Sequence, residues 1–394
     1  MTPFPREAYR PLEPYAPDRR PIRVDLSDNT NRWGVHPDAL AAVRDADPEE
    51  LLRYPPVYAD RLRAAVARRF GVPPETVGTG CGSDDLLDSI FRASGEPGEG
   101  VAYLPPTFSM IEIFSRMNAL EARPLDRFGG RAGMGSGRVG GSDDSAEAAW
   151  KGSPLLGRLP DPGELMEGNP TLIYLCRPNN PTGEVVPREW LLQVMEAVEP
   201  RGPILLIDEA YADFLDPAEE DPNGLLLRAA DSRRTVVLRT LSKAYGLAGL
   251  RVGFAVGAPE VIRELEKSRG PYKVNRLAEA AGVAALRDEV GWIPGILEAT
   301  RSARTDLEVE LRRRGLPPLP SGANFLCLPL TGAETEARFQ VEPTAAAVTA
   351  ALRDREVAVR PFPSLPGVGE AIRVSLGPPD EMNTFLDALD EILT

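Results

Sequence analysis

The chain has 394 residues, of which 42% are hydrophobic and 26% are charged. One hydrophobic core rarely grows to this size, so we expect a large and a small domain. Acidic residues outnumber basic ones by 59 to 45, and the net charge of -14 disfavours binding to nucleic acid or to an anionic membrane surface. An anionic ligand would therefore need arginines that are concentrated locally.

Cysteine and histidine usage narrows the chemistry. The three cysteines, Cys81, Cys176 and Cys327, have no paired spacing, which fits a reducing compartment better than a disulfide framework. The N-terminus lacks an apolar signal core and no apolar run reaches the roughly 18 residues of a membrane span, so we expect a soluble, cytoplasmic protein. The single histidine, His36, lies in a segment flanked by proline and aspartate, which makes a histidine-based triad or a multi-histidine metal site unexpected, so proton transfer needs another base.

The order of apolar patterns predicts an α/β fold. A helix over 60–70 buries a stripe of Leu62, Ala65, Val66 and Phe70. Short apolar runs then alternate with helical patterns at 110–118 and 187–198; the runs, each predicted as a strand, lie at 101–104, 171–175, 203–207 and 235–238. Strands of this kind with intervening helices indicate a mainly parallel sheet between helices, whose ligands gather at the carboxyl ends of the strands.

The pattern changes near residue 275, and this change sets the predicted domains. Long helices over 276–287 and 294–314 precede short strands at 324–328 and 372–375, which indicates a smaller α+β domain. We therefore predict an N-terminal arm with part of the small domain at 1–45, a large domain at 46–272 and a small C-terminal domain at 273–394. A glycine-dense segment, 129–145, is predicted to be a flexible insertion.

One run, from Arg239 to Phe254, places Lys243 among small and hydroxyl residues, eight positions before Arg251. Lysine forms a Schiff base with carbonyl compounds, and a desolvated amine near other cations loses its proton more easily than one in water. A Ser-Lys pair alone is usually part of a surface loop. The whole run, however, resembles the lysine segment of pyridoxal-phosphate aminotransferases of the aspartate aminotransferase fold, and most closely that of histidinol-phosphate aminotransferases. Lys243 is therefore the first candidate for a catalytic residue.

Polar residues that follow the predicted strands extend this site. Asp208 lies at the end of a strand, where its carboxylate can keep a pyridinium nitrogen protonated so that the ring accepts an electron pair from the substrate. Tyr211 and Asn180 can each donate a hydrogen bond to the phenolate oxygen of such a ring. Taken alone, Asp208 would be an exposed turn acid and Asn180 part of an ordinary turn. Next to Lys243, we predict that Asp208 and Tyr211 are catalytic too.

A phosphate site is predicted at the glycine-rich turn 78–85, which opens a helix. Free backbone N–H groups at a helix N-terminus bind anions, and Ser83 and Asp84 would supply amides there. Capping of the helix by Ser83 explains much of the same pattern. Ser242 and Arg251 would complete a phosphate shell with a hydroxyl and a guanidinium.

The resemblance to histidinol-phosphate aminotransferases spans nearly the whole chain, with the motifs in the family's order. It implies the fold of PLP-dependent transferases of fold type I, with pyridoxal 5'-phosphate as the cofactor. The residues that match the family's cofactor site are Ser83, Asp84, Phe108, Asn180, Asp208, Tyr211, Ser242, Lys243 and Arg251. Phe108 would stack on the cofactor ring, although a core aromatic is an equally simple reading.

The resemblance also implies a homodimer with shared active sites. In the family, the residue that matches Tyr54 reaches the cofactor phosphate of the neighbouring subunit, and the one that matches Tyr15 helps to close its substrate pocket. Arg360 and Arg373 are implied to bind the anionic groups of the substrates.

Two departures from the family pattern concern the substrate. The family has Asn-Glu-Asn-Pro where this chain has Asn29-Thr30-Asn31-Arg32, so a negative charge is missing where Asn29 and Thr30 are expected to line the substrate entrance. Arg177 replaces the asparagine that usually precedes Pro-Asn-Asn-Pro-Thr-Gly. Both departures leave transamination as the expected reaction and affect the choice of substrate.

The predicted reaction is a ping-pong transamination. An amino donor, for which we favour L-histidinol phosphate, displaces Lys243 from the cofactor aldehyde, and the freed amine moves a proton between the substrate α-carbon and C4′ of the cofactor. The 2-oxo acid acceptor is expected to be 2-oxoglutarate. Alternatives are an aminotransferase for aromatic or other amino acids and a decarboxylase that resembles threonine-phosphate decarboxylase.

Overall fold

The structure, a computed structural model, describes residues 4–14, 16, 18, 20–128, 157–199, 201–217 and 223–394. Tyr15 and the predicted insertion 129–145 lie outside the described residues. None of the described helices is both long enough and apolar enough to span a membrane.

Twelve strands are described along these ranges. In chain order they are β1 (Val24–Asp25), β2 (Val77–Cys81), β3 (Gly100–Tyr103), β4 (Glu121–Pro124), β5 (Leu172–Cys176), β6 (Ile204–Asp208), β7 (Thr235–Thr240), β8 (Val252–Val256), β9 (Phe325–Pro329), β10 (Val357–Ala358), β11 (Arg360–Leu365) and β12 (Gly369–Ser375).

Thirteen α-helices accompany the strands in the part of the chain that the structure describes. They are α1 (Pro37–Arg44), α2 (Pro48–Leu52), α3 (Asp60–Phe70), α4 (Gly82–Ser94), α5 (Met110–Met117), α6 (Arg188–Val198), α7 (Gly224–Asp231), α8 (Pro259–Lys267), α9 (Arg276–Arg287), α10 (Trp292–Arg313), α11 (Ala333–Glu336), α12 (Ala345–Arg353) and α13 (Pro379–Asp390).

The large sheet has seven strands in the order β2-β8-β7-β6-β5-β3-β4. All neighbouring pairs are parallel except those that involve β8, which runs antiparallel to β2 and to β7. The side chains of β5 to β8 are almost all buried because helices cover both faces of the sheet, as a parallel sheet requires. The predicted mainly parallel sheet between helices is confirmed.

Two small sheets are built mainly from strands of the C-terminal part of the chain. Strands β11, β12 and β9 form an antiparallel sheet, and β1 pairs in parallel with β10. Side chains of β1, β9, β10 and β12 share a hydrophobic core with α10, α12 and α13. Val24 of β1 and the neighbouring Leu26 belong to this core. The assignment of residues 1–45 to an arm and part of the small domain stays a prediction.

Helices α3 and α9 show how the sequence pattern produces the packing. Helix α3 buries Leu62, Ala65, Val66 and Phe70, which is the predicted stripe. Helix α9 begins with Asn275, whose side chain accepts a hydrogen bond from the Ala278 N–H. It packs against α1 and α3 in the core of the large sheet, whereas the predicted boundary at residue 273 assigned it to the small domain. The division of the chain into 46–272 and 273–394 stays a prediction.

The predicted glycine-rich turn at 78–85 is not a turn. Residues 77–81 form β2, and α4 begins at Gly82. The glycines serve close packing, since a Cβ on Gly80 would lie 2.7 Å from the Leu86 side chain and one on Gly253 would lie 2.5 Å from the Gly82 carbonyl carbon. Strand β8 and the start of α4 therefore touch backbone to backbone.

Candidate active site

Lys243 lies on the loop that follows β7, and its side chain is half-buried. The Nζ donates a hydrogen bond to the Asp28 carbonyl oxygen at 3.1 Å and lies 5.6 Å from the centroid of the Tyr211 ring. Burial, together with the positive charge of Arg373, lowers the pKa of Lys243 to about 8. A sizeable fraction of the amine is therefore neutral near physiological pH, which is the form that attacks carbonyl carbons.

Asp208 ends β6 at the carboxyl edge of the large sheet, and it is 4% exposed. Its Oδ2 accepts a hydrogen bond from the Tyr174 hydroxyl at 2.9 Å, and its Oδ1 accepts one from the Ala210 N–H at 3.0 Å. Burial raises the pKa of Asp208 to about 6, although both hydrogen bonds act in the opposite direction. The carboxyl would be ionised more readily beside a cation, such as a protonated ring nitrogen.

The hydroxyl of Tyr211 faces the N-terminal segment of the chain. It accepts a hydrogen bond from Asn29 Nδ2 at 3.1 Å, so its own hydrogen remains to be donated to a ligand. Burial raises the pKa of Tyr211 to about 12, which keeps the hydroxyl protonated. Asn29 is held in a left-handed conformation, with φ 54°, by two hydrogen bonds to the Ser375 side chain.

Arg373 on β12 is buried between two aromatic rings. Its guanidinium carbon lies 5.2 Å from the Phe325 centroid and 5.5 Å from the Phe362 centroid. The guanidinium donates to Asn180 Oδ1 at 2.5 Å and to the Ser27 carbonyl oxygen at 2.8 Å, whereas its Nε has no partner. Because the oxygen of the Asn180 amide is engaged, its nitrogen is the group that can donate to a ligand.

Arg360 begins β11 and is in register with Arg373 across the β11–β12 pair. The positive charge of Arg360 contributes, after burial, to a lower pKa of Arg373. Two guanidinium groups on facing positions of neighbouring strands repel each other, and an anion placed between them removes that repulsion.

The start of α4 lies beside Arg251. No side chain caps this helix, so the predicted capping by Ser83 is wrong and the first N–H groups of the helix are without a side-chain acceptor. Arg251 Nη2 lies 3.2 Å from Asp84 Oδ2, and a Cβ on Gly82 would lie 2.5 Å from the same nitrogen. The Ser242 hydroxyl hydrogen-bonds to the Thr240 hydroxyl at 2.8 Å. Uncapped amides, a guanidinium and a hydroxyl fit a phosphate group.

Several of these charged groups lie close enough to Lys243 to affect its ionisation. The charges of Arg373 and Arg251 lower the pKa of Lys243, whereas the charge of Asp84 raises it. Asp84 also contributes to the raised pKa of Asp208. Lys243 therefore lies near both the buried Arg373 and the uncapped start of α4, and the region around it is the candidate cleft.

The remaining predicted residues are less closely tied to this cleft. Phe108 is half-buried and packs against the hydrophobic cluster around α4 and α5. Part of its ring therefore belongs to the core, as the alternative interpretation of this residue expects. Thr30 is half-buried next to Asn29. Tyr54 is 78% exposed and stacks on Tyr272, with ring centroids 4.9 Å apart. Tyr15 lies outside the described residues.

Several residues that sequence reasoning missed support the site. Tyr174 holds Asp208, the Asp28 carbonyl holds Lys243, and Asn179 joins two loops through hydrogen bonds to Thr107 Oγ1 and the Pro106 carbonyl oxygen. Each partner is remote in sequence, so no local sequence pattern reveals it. Arg177, which replaces the asparagine usual in the family, is buried, and its Nε donates a hydrogen bond to the Val186 carbonyl oxygen at 2.7 Å.

Comparison with known proteins identifies the family. A family model described as "Aminotransferase class I and II" matches residues 21–128 and 160–389. The chain belongs to this family. The aminotransferase is 30% identical over 397 residues to histidinol-phosphate aminotransferase 1 of Nostoc sp., which covers 100% of this chain and 99% of that relative. It is 34% identical over 390 residues to the aromatic amino acid aminotransferase of Thermobifida fusca, which covers 98% and 96%.

A solved structure gives the same result. The histidinol-phosphate aminotransferase of Sinorhizobium meliloti, in complex with pyridoxal-5'-phosphate, superposes on the aminotransferase with a TM-score of 0.76, 26% identity and coverage of 94% of this chain and 91% of that one. The predicted resemblance, the α/β fold of the fold type I transferases and the transaminase class with its pyridoxal 5'-phosphate cofactor are thereby confirmed at the level of the family.

Proposed function

We propose that the aminotransferase transfers the amino group of L-histidinol phosphate to 2-oxoglutarate, which yields imidazole acetol phosphate and L-glutamate. The observation that carries this substrate pair is Arg373, which is 6% exposed, has an unpartnered Nε and lies in register with Arg360. A buried N–H group without an acceptor is stabilised by an anion. The donor has a phosphate ester where amino acids have a carboxylate, and the acceptor is a dicarboxylate, so both bring an anion to this pair.

The same proposal assigns pyridoxal 5'-phosphate to the cleft around Lys243. When bound, the cofactor supplies an aldehyde carbon and a ring that withdraws electrons from the substrate α-carbon. The residues proposed to hold its phosphate are Ser83, Asp84, Ser242 and Arg251, and those proposed to hold its ring are Phe108, Asn180, Asp208 and Tyr211. Asp208 would pair with the ring nitrogen, while Tyr211 and Asn180 would donate to the phenolate oxygen.

Lys243 is proposed to move the proton. Its pKa of about 8 leaves an amine that can take a proton from the substrate α-carbon. The single histidine is not available for this step because His36 is buried, accepts the Asp38 N–H at Nδ1 and contacts Asp288 Oδ1 at 2.9 Å through Nε2. The contact of Lys243 Nζ with the Asp28 carbonyl oxygen holds the amine near the substrate entrance.

Two half-reactions test the proposed substrates separately. Purified holoenzyme mixed with L-histidinol phosphate and no acceptor should lose the absorbance of the aldehyde cofactor in one turnover, and 2-oxoglutarate should restore it with one equivalent of glutamate. Carbon dioxide released from phosphothreonine without any acceptor would instead indicate a decarboxylase. No response to L-histidinol phosphate at millimolar concentration would refute the proposed donor.

An aromatic amino acid is a second candidate donor, and three observations favour it. The Thermobifida fusca relative with that name is 34% identical, and the rings of Phe325 and Phe362 flank Arg373. The uncharged Thr30 also suits an apolar side chain better than a glutamate would. A higher kcat/KM for phenylalanine than for L-histidinol phosphate would select this reading.

We also propose a cytoplasmic homodimer in which Tyr54 serves the neighbour's site. The three cysteines are free thiols. An exposed apolar surface surrounds Tyr54; its members are Leu51 (65%), Leu52 (77%), Tyr54 (78%), Tyr58 (42%) and Tyr272 (41%). Mixed dimers provide the test: Lys243→Ala and Tyr54→Ala subunits are each impaired alone, but a mixed dimer should regain one intact site. Mixtures as inactive as their parents, in which mixed dimers are shown to form, would refute shared sites.

A further inference from the structure

A buried ion pair lies behind the strand ends that carry Asp208 and Lys243. Arg239 on β7 donates from Nε and Nη2 to Glu209 Oε2, at 3.1 and 2.7 Å, and the two side chains are 2% and 1% exposed. Glu209 directly follows Asp208, and Arg239 lies four residues before Lys243. Both residues therefore belong to the motifs of the site without a part in the proposed chemistry.

The pair joins the two strands where they leave the sheet. The Glu209 N–H donates to the Leu238 carbonyl oxygen at 2.9 Å, which continues the β6–β7 ladder by one residue. Successive side chains in an extended chain point to opposite faces, so Glu209 lies on the other side of the sheet from Asp208. There, Arg239 covers the ring of Phe70 at 5.4 Å. The Glu209 carbonyl oxygen accepts the Ala212 N–H and so begins the turn that carries Tyr211.

Stability alone does not explain a pair at this position. Desolvation of two charges offsets most of their attraction, whereas removal of one partner leaves an uncompensated buried charge. Asp213 Oδ1 also lies 3.9 Å from Arg239 Nη1, and Arg69 and Tyr245 face Asp213. The Arg239 guanidinium thus balances the negative charge of Glu209 and part of that of Asp213.

The charge of Glu209 reaches Asp208. Burial is the largest cause of the raised pKa of Asp208, and the charges of Asp84 and Glu209 raise it further. The other groups that face the carboxyl are Tyr174, which donates to it, and the Cys176 thiol, whose pKa is itself raised by burial and by Asp208. A Glu209 without its arginine would therefore favour the protonated form of Asp208.

We propose that Arg239 and Glu209 are positioning residues whose ion pair fixes the turn after β6 and cancels the charge of Glu209, so that Asp208 stays ionised toward the ring nitrogen of the cofactor. This inference rests on the proposed function, because it takes Asp208 to be the partner of that nitrogen.

The test measures cofactor affinity rather than turnover. Pyridoxamine 5'-phosphate is a suitable probe because it has the ring nitrogen and the phosphate but no aldehyde to react with Lys243. Its dissociation constant is measured by calorimetry between pH 5 and 8.5 for the purified protein and for Arg239→Gln, Glu209→Gln and the double variant. The phosphate of the probe titrates identically in all four proteins, so differences in the midpoint of the acid limb report on Asp208.

The three variants should differ in direction. Arg239→Gln should move the midpoint up by about one pH unit, Glu209→Gln should move it down by a similar amount, and the double variant should return it to within about 0.3 units. Arg239→Lys keeps the charge and should stay near the unaltered protein, which keeps the test valid if Arg239→Gln fails to fold.

The chain offers a matched control pair. Arg127 and Glu184 form another buried ion pair, at 2.7 and 2.9 Å, with 2% and 5% exposure. Arg127→Gln should lower the thermal unfolding temperature of the cofactor-free protein as Arg239→Gln does, but should leave the midpoint unchanged. Coincident midpoints in all Arg239 and Glu209 variants would overturn this inference alone. Failure of the unaltered protein to bind the probe would overturn the proposed function with it.

Discussion

The hydroxyl of Tyr174 offers a direct perturbation of Asp208. It donates a 2.9 Å hydrogen bond to Asp208 Oδ2, and both side chains are buried. Tyr174→Phe removes this bond and keeps the ring. A hydrogen bond to a charged group contributes about 1.5–3 kcal/mol, which corresponds to a rise of about one to two units in the pKa of Asp208. Burial already raises that pKa from 3.8 to about 6, so the carboxyl of the variant should titrate near neutral pH or above.

This shift has a defined sign for stability. The folded pKa of Asp208 lies above its unfolded value, so its contribution to stability is complete below pH 3.8 and is lost as the pH rises through about 6. The difference of about two units between the folded and unfolded pKa corresponds to about 3 kcal/mol in the free energy of unfolding of the cofactor-free protein. At pH 8.5, where Asp208 is ionised and lacks the hydrogen bond, Tyr174→Phe should lower the free energy of unfolding by a further ~1.5–3 kcal/mol. At pH 5 the loss should be about 1 kcal/mol or less.

Urea denaturation of the cofactor-free proteins at pH 5, 7 and 8.5 measures this difference. Tyr103→Phe is the matched control, because its hydroxyl donates at 2.7 Å to Glu112, a carboxylate on the exposed side of α5. The loss in free energy of unfolding caused by Tyr103→Phe should change little with pH, as expected for a bond to an exposed carboxylate. Equal losses for Tyr174→Phe at pH 5 and pH 8.5 would refute the reasoning on Asp208.

Three further predictions concern Arg373, Lys243 and the Arg32–Glu381 ion pair. Arg373→Gln should raise the KM for 2-oxoglutarate on the order of 100-fold, as expected for a lost charge-assisted bond, and change the cofactor dissociation constant less than about threefold; equal losses in both would contradict its proposed place. Covalent capture of pyridoxal 5'-phosphate by Lys243, followed by stopped-flow absorbance, should slow about tenfold for each pH unit below its pKa of about 8, and a flat profile from pH 6 to 8 would exclude that pKa. Arg32→Ala breaks the bonds to Glu381 at 2.8 and 2.6 Å and should lower the free energy of unfolding in urea by about 1 kcal/mol, whereas no loss would show that the pair does not hold this segment.

Periodic segments could be predicted from the sequence because their spacing alone determines which face is buried. Helices α3 and α9 have the predicted bounds, 60–70 and 276–287. Strands β5 to β7 appear where apolar runs end in polar motifs. The sequence was misleading where glycine serves packing instead of a turn, as at Gly80 in β2. Strand β8 was missed because its residues were read only as the end of the lysine run.

The residues of the candidate site also fall into those that the sequence could predict and those that it could not. Residues that lie in short motifs, such as Lys243 and Asp208, could be found because a strand end brings them to one edge of the sheet. Partners that depend on register could not, because the sequence does not state that Tyr174 on β5 reaches across to Asp208 on β6. The contact of Lys243 with the Asp28 carbonyl oxygen depends on where the N-terminal segment lies against the large sheet, which no local pattern predicts.

The central claim is that Lys243 forms the covalent bond with the cofactor. The chain has four lysines, Lys151, Lys243, Lys267 and Lys273, so each provides a control for the others. Borohydride reduction of the purified holoenzyme, followed by proteolysis and mass spectrometry, fixes the cofactor to the lysine that holds it. We expect one phosphopyridoxyl group per chain on the peptide that contains Lys243. A label on another lysine, or an unlabelled Lys243 peptide from holoenzyme with full cofactor content, would contradict it.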